Sequence, residues 1–157
     1  MEKDPFLIIA LGHEYRRDDG FGAHVLRNLL KEAEVSCEAV FHAGDVSDLL
    51  ERWNHRRVIV IDASESQGAP GRLHILKPLL ASCLVPEGTV SSHGLGLAKT
   101  IELGKVLGKS PRELIVLTVE GQDFGSGPGL SSEVRGAVDE ALSQLKKLVI
   151  GMETVHA

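Results

Sequence analysis

Three residues of this 157-residue chain have the types and positions needed to bind a divalent metal ion: Asp19, Asp62 and His93. Asp19 lies in the loop that follows one apolar run, Asp62 ends another such run, and His93 lies near the start of a helical segment. Two carboxylates and an imidazole form a workable ligand set that leaves coordination positions open for a substrate. Nickel, zinc and manganese all accept this set, so the residue types do not identify the metal. We therefore treat these three residues as the candidate metal-binding and catalytic residues.

Each of these residues also has a structural alternative. Asp18 and Asp19 at the start of a helix would supply an N-cap and interact favourably with the helix dipole. Asp62 could form a turn or cap a helix, and His93 could be a packed, hydrogen-bonded histidine. The positions of the three residues favour the interpretation that they form one metal site, because ligands of open α/β sheets bind beyond the carboxyl ends of the strands.

Hydrophobic periodicity predicts the elements that must position these residues. A continuous apolar run predicts a strand over 6–11, further strands are predicted over 36–41, 57–61, 72–76 and 114–119, and helical spacing predicts helices over 21–30, 46–50, 92–107 and 134–148. Strands that alternate with helices indicate an α/β fold, a mostly parallel twisted five-stranded sheet with helices on both faces. A hairpin-like pair, 57–62 with 72–76, would make the sheet mixed. Residues 1–157 are expected to form one three-layer domain.

Two further segments carry local predictions. Residues 77–90 contain two prolines and are expected to be irregular. Ser110 to Glu113 has the form of a capping box with proline at the first helical position, which predicts a single helical turn before the last strand.

Composition restricts the partners. The net charge of −5 and the single Trp and single Tyr argue against nucleic-acid binding, which needs a basic face. No apolar run approaches the roughly 20 residues of a membrane span, and the acidic N-terminus is not typical of a signal peptide. Cys37 and Cys83 lack the spacing of a disulfide framework or a zinc knuckle. We expect a cytoplasmic protein with neither a nucleic-acid nor a membrane partner.

Other catalytic motifs fit less well. Gly20-Phe21-Gly22 has valine at position 25, where a dinucleotide fingerprint needs its third glycine, and the glycine-rich segment 125–129 lacks the lysine of a phosphate loop. Ser92 is adjacent to His93, but neighbouring residues rarely present a nucleophile to its base. Neither Gly-x-Ser-x-Gly nor His-Glu-x-x-His occurs in the chain.

Five blocks, in order along nearly the whole chain, resemble the hydrogenase maturation protease family. The first block is a strand, a glycine, a short loop, an acidic pair and Gly-x-Gly, matched by Leu11-Gly12 and Asp18 to Gly22. The second is an apolar strand that ends in Asp-Ala and is followed by Pro-Gly, matched by Val58 to Ala63 and Pro70-Gly71. The third is Ser-x-His-x-x-Gly-Leu, matched by Ser91 to Leu97, and the last two blocks are matched by Val119-Glu120-Gly121 and Gly129-Leu130-Ser131.

The resemblance implies a phosphorylase/hydrolase-like fold and an endopeptidase. Its substrate would be the large-subunit precursor of a nickel–iron hydrogenase, and cleavage would remove a C-terminal extension. Asp19, Asp62 and His93 match the family's metal-contacting positions, with nickel supplied by the precursor as the recognition feature. Another divalent metal could occupy the site in isolation. The resemblance identifies no protein nucleophile.

The chain departs from the family pattern in two loops. The family commonly has asparagine where this chain has His13, and segment 14–17 (Glu-Tyr-Arg-Arg) is more charged than usual. The second strand usually ends in Asp-x-Gly-Thr, where this chain has His-Ala-Gly-Asp at 42–45. His13 and His42 could be extra ligands, although solvated loop histidines are the simpler interpretation. The departures leave open which hydrogenase is processed.

Two other functions remain compatible with the same residues. One is a non-catalytic, nickel-dependent chaperone that holds the precursor without cutting it. The other is a peptide hydrolase of the same fold that needs no metal-loaded partner. The reaction product separates them, because only an endopeptidase leaves a shortened precursor and turns over.

Overall fold

The computed structural model describes residues 6–32, 37–65, 68–80 and 96–154, and their strands form one sheet. The strands are β1 (Phe6–Leu11), β2 (Glu38–His42), β3 (Arg57–Glu65), β4 (Leu73–Leu76) and β5 (Glu113–Gly121). Their order is β2-β1-β3-β5-β4, with β4 antiparallel to β5 and every other pair parallel. The expected mixed five-stranded sheet is confirmed.

Helices cover both faces of this sheet. They are α1 (Phe21–Leu30), α2 (Val46–Trp53), α3 (Gly96–Leu107), α4 (Ser132–Gly136) and α5 (Val138–Thr154), and a 3-10 turn (Arg17–Gly20) precedes α1. In the part of the chain that is described, no helix is long and apolar enough to cross a membrane.

The core has two halves because successive strand residues point to opposite faces. On the first face, β1, β3 and β5 pack against α1, α4 and α5 through residues such as Ile8, Phe21 and Leu145. On the second face they pack against α2 and α3 through residues such as Val60, Trp53 and Ile101. We call these the α1/α5 face and the α2/α3 face. The predicted three-layer architecture is confirmed.

Four local predictions are wrong. Strand β4 pairs with β5 rather than with β3, because Gly71 and Arg72 hydrogen-bond to Glu120 and direct the entry of β4 along β5. Strand β3 does not stop at Asp62 but runs on to Glu65. Residues 110–112 form no helical turn, since Ser110 and Arg112 hydrogen-bond to the turn after α2. The last helix is two helices, separated at Ala137 after Gly136, a poor helix former.

Candidate active site

Asp19 is a fully buried carboxylate at the carboxyl end of β1. Its Oδ2 accepts a hydrogen bond from the His13 backbone N–H at 2.8 Å and lies 3.9 Å from the Arg16 guanidinium. The chain fits closely here, because a Cβ on Gly12 would lie 2.1 Å from the Asp19 carbonyl oxygen. Gly12 has φ +130°, which disfavours a side chain as well. A glycine at position 12 is therefore required for the first loop to hold Asp19 against the strand end.

Asp62 is the second buried carboxylate, 4% exposed, and it lies within β3 rather than after it. Its Oδ1 accepts a hydrogen bond from the Ala63 N–H at 2.8 Å. It shares the α2/α3 face with Val58 and Val60, at the position where the apolar side chains of that face stop. Because β3 is the neighbour of β1 and the 3-10 turn packs against it, Asp62 and Asp19 belong to the same edge of the sheet.

His93, with Ser91 and Ser92, lies outside the described residues, as do the other residues between Leu80 and Gly96. Among the residues that are described, no group of three or more His, Cys, Asp and Glu side chains could hold a metal ion. The structure therefore brings two of the three candidate ligands to one edge and does not describe the third. Two buried carboxylates fit a divalent cation in chemistry, but they need at least one further donor.

Asp18 differs from its neighbour, although both are fully buried. Its Oδ2 accepts hydrogen bonds from the backbone N–H groups of Gln122 (2.9 Å) and Asp123 (3.0 Å) and from the Ser131 hydroxyl (2.8 Å), while its Oδ1 accepts from the Ser131 N–H (2.7 Å). The N-cap of α1 is Gly20, which makes no side-chain capping bond, so the acidic pair does not cap this helix. Asp18 instead joins the first loop to the loop after β5.

The two loops form one surface, which we call the loop platform (residues 12–20 and 122–131). Gly127 donates its N–H to the Tyr15 carbonyl (2.8 Å) and accepts from the Arg17 N–H (3.0 Å). The Arg17 guanidinium binds the Asp123 carboxylate at 3.2 Å. A backbone N–H from Gly125 and this guanidinium lower the pKa of Asp123. Tyr15 is 76% exposed although its backbone is held in place, so the first loop presents an aromatic side chain to solvent.

His42 is not a solvated loop histidine. It is 7% exposed, its Nδ1 accepts the Gly44 N–H at 2.9 Å, and its Nε2 lies 2.7 Å from the Asp48 carboxylate. Hydrogen bonds from Arg52 first and from His42 second lower the pKa of Asp48. Both ring nitrogens of His42 are thus occupied and neither can bind a metal. His13 is exposed, as expected.

Four polar residues near Asp62 were missed by the sequence reasoning. They are buried or half-buried on the α2/α3 face, beyond its apolar part: Ser64, Thr118, Glu120 and His74. Thr118 pairs with Asp62 and with His74, and Ser64 pairs with Glu120. Side chains alternate between the two faces of the sheet along β5, so Thr118 and Glu120 lie on the same face as Leu114 and Val116. This alternation is the sequence signal that could have identified them.

The fold and the two buried carboxylates are typical of α/β enzymes, which bind their ligands at the carboxyl edge of the sheet. A family model described as hydrogenase maturation protease matches residues 37–148, well over half of the chain. The chain belongs to the hydrogenase maturation protease family and is an endopeptidase.

Individual relatives agree with this assignment. A protein of Methanocaldococcus jannaschii, named provisionally as a hydrogenase maturation protease, is 29% identical over 161 positions, covering 94% of this chain and 100% of the relative. The hydrogenase maturating endopeptidase HybD from Escherichia coli is 22% identical with a TM-score of 0.76, covering 94% of this chain and 93% of that one. The [NiFe] hydrogenase maturation protease HybD from Thermococcus kodakarensis is 25% identical with a TM-score of 0.69, covering 92% and 99%. The fold is that of these enzymes.

Proposed function

We propose that this endopeptidase removes the C-terminal extension of the nickel-loaded large-subunit precursor of a [NiFe] hydrogenase. The family assignment supports a hydrogenase precursor as the substrate in general terms. One observation supports the metal-dependent form of the reaction: two buried carboxylates, Asp19 and Asp62, share the edge of the sheet where α/β enzymes bind their ligands.

The chemistry of Asp19, Asp62 and His93 supports contact with a cation. Two carboxylates would balance the charge of a divalent cation carried by the precursor, and His93 would supply a neutral nitrogen donor. Nickel accepts this mixture of oxygen and nitrogen ligands. In this proposal the nickel belongs to the substrate, and the three residues recognise it.

Recognition through the nickel would place one peptide bond of the precursor beside the site. A bound divalent metal can polarise a carbonyl group or lower the pKa of a water molecule. The contribution of this chain is orientation: Asp19 is fixed by the His13 N–H, and Asp62 by its place in strand β3, where it pairs with Thr118 of β5. Correct positioning alone accounts for a large part of many enzymatic rate enhancements.

A processing assay tests the proposal. The purified protein is mixed with large-subunit precursors, loaded with nickel or nickel-free, and intact mass is followed. We expect loss of a C-terminal segment from the nickel-loaded precursor only. A stable complex at unchanged mass would indicate a non-catalytic chaperone, and cleavage of short peptides without nickel would indicate a general peptide hydrolase.

Substitutions test the residue assignment separately. Asp19→Asn, Asp62→Asn and His93→Ala should each abolish processing while leaving the unfolding temperature close to that of the wild type. Asp45→Asn is the matched control, because Asp45 caps α2 through the Asp48 N–H and asparagine caps a helix equally well. Full activity in any of the three variants would remove that residue from the site.

A further inference from the structure

A histidine–carboxylate pair lies on the same face of the sheet as Asp62. His74 Nε2 is 2.9 Å from Glu120 Oε2, and Glu120 lies on β5 diagonally across from His74, two residues beyond its direct partner Thr118. The Glu120 side chain is only 9% exposed, whereas that of His74 is 38% exposed. In the described part of the chain, the His74 ring makes this one hydrogen bond, through Nε2, and its Nδ1 makes none.

The strand register places this pair near Asp62. Asp62 lies opposite Thr118, and Thr118 lies opposite His74, so the three form a row across β3, β5 and β4. All three side chains point to the α2/α3 face, as the alternation of β3, β4 and β5 requires. Strands are about 5 Å apart, which puts the Cα atoms of Asp62 and His74 about 10 Å apart. A peptide bond between the two side chains would be within reach of both.

The chemistry of the pair follows from the hydrogen bond. A carboxylate only accepts hydrogen bonds, so Glu120 selects the His74 tautomer that carries its proton on Nε2. Nδ1 is then the basic nitrogen and faces away from Glu120. A buried carboxylate that orients an imidazole and stabilises its protonated form is the arrangement that serine proteases use for proton transfer.

We propose that His74, oriented by Glu120, carries the proton during peptide hydrolysis by this enzyme. Nδ1 takes a proton from the attacking water as its oxygen bonds to the carbonyl carbon. The imidazolium, stabilised by Glu120, then returns this proton to the leaving nitrogen as the carbon–nitrogen bond breaks. One water is consumed, one carboxyl and one amino terminus are formed, and His74 ends as it began. This role rests on the proposed function, and it adds a proton carrier to a site for which no such residue was identified.

The experiment measures single-turnover processing of a nickel-loaded precursor, with precursor affinity measured separately. General acid–base groups contribute typically 10²- to 10⁴-fold to rate, so we expect His74→Ala to lower the rate constant by about 10²-fold or more. Affinity should change less than about threefold. Added imidazole should restore part of the rate, which a purely structural role would not permit. His55→Asn is the matched control, since His55 is exposed at φ +60° in the turn after α2 and asparagine tolerates that conformation.

Glu120 is tested in the same assay. Glu120→Gln should lower the rate because the amide no longer selects one tautomer, and it should have almost no further effect in the His74→Ala background. A wild-type rate in His74→Ala, a loss confined to affinity, or no rescue by imidazole would each overturn the proton-carrying role and leave the proposed function intact. Failure of the wild-type protein to process any nickel-loaded precursor would refute both.

Discussion

Replacing Asp18 by asparagine should destabilise the protein more than replacing any single charged side chain at its surface by a neutral one. The carboxylate accepts four hydrogen bonds, two of them from the N–H groups of Gln122 and Asp123 and two from Ser131. The side chain of asparagine has only one acceptor oxygen. If that oxygen takes the place of Oδ2, its NH₂ group faces the Ser131 N–H, which is a donor facing a donor. If it takes the place of Oδ1, the NH₂ group faces two backbone donors.

The magnitude follows from the bonds that must be lost. Hydrogen bonds to a charged group contribute about 1.5–3 kcal/mol each, and an unsatisfied buried N–H costs a comparable amount. In the better of these two orientations, the amide oxygen replaces Oδ2. The remaining hydrogen bonds then go to a neutral acceptor, and at least one buried donor has no acceptor. We therefore expect Asp18→Asn to lower the free energy of unfolding by about 3–5 kcal/mol, a large part of the roughly 5–15 kcal/mol that holds an ordinary domain folded.

Urea unfolding and thermal unfolding measure this loss. For a chain of this size 1 kcal/mol corresponds to about 2–4 °C, so the melting temperature should fall by about 6 °C or more. Asp45→Asn again serves as the control, with an expected change within about 0.5 kcal/mol. A free energy of unfolding for Asp18→Asn within about 1 kcal/mol of the wild type would refute the assignment of Asp18 as the residue that joins the two loops.

Three further predictions follow from single residues. Gly12→Ala should destabilise the protein by more than about 3 kcal/mol, because its Cβ would collide with the Asp19 carbonyl. Gly151→Ala in α5 should stabilise it by about 0.5–1 kcal/mol, because alanine forms helix better than glycine and its Cβ would meet no other atom. Urea unfolding measures both changes. Tyr15→Ala should weaken precursor binding about 5- to 30-fold at an unchanged saturated rate, as expected for an exposed aromatic contact, and an unchanged KM would contradict this. Burial and then Arg27 lower the pKa of His24, so the unfolded state binds more protons near pH 6.5 and stability is lost as pH falls through the lowered pKa. The urea midpoint of wild type should therefore drop more between pH 7.5 and 5 than that of His24→Gln, and equal drops would contradict the shift.

The sequence predicted the sheet well because its signal is local. Each of the five predicted strands corresponds to a strand of the structure, and the clearest signals are the apolar runs at 6–11, 57–61 and 114–119. The partner of β4 was not predictable in the same way, because adjacency along the chain favours β3. Only the hydrogen bonds between Glu120 and the turn at 71–72 reveal that β5 is the partner.

The candidate site was predicted in part for a similar reason. The placement of Asp19 and Asp62 followed from the rule that sites lie at strand ends. Both carboxylates are buried towards the carboxyl edge of the sheet, although Asp62 lies inside β3 rather than at its end. The different roles of Asp18 and Asp19 were hidden, since two adjacent aspartates have the same sequence signal and the partners of Asp18 are more than 100 residues away. His74 was missed because a single histidine in a four-residue edge strand carries no periodic signal.

The loop platform also has a consequence for the order of folding. The Asp18 carboxylate bonds to Ser131 across a separation of 113 residues, so the loop that holds Asp19 depends on a segment far along the chain. Contacts of such large sequence separation form late in folding, because the intervening chain must first lose its conformational freedom. Folding of the first strand and helix alone therefore leaves Asp19 without the framework that orients it, and this part of the candidate site is assembled only when the loop after β5 docks against the first loop.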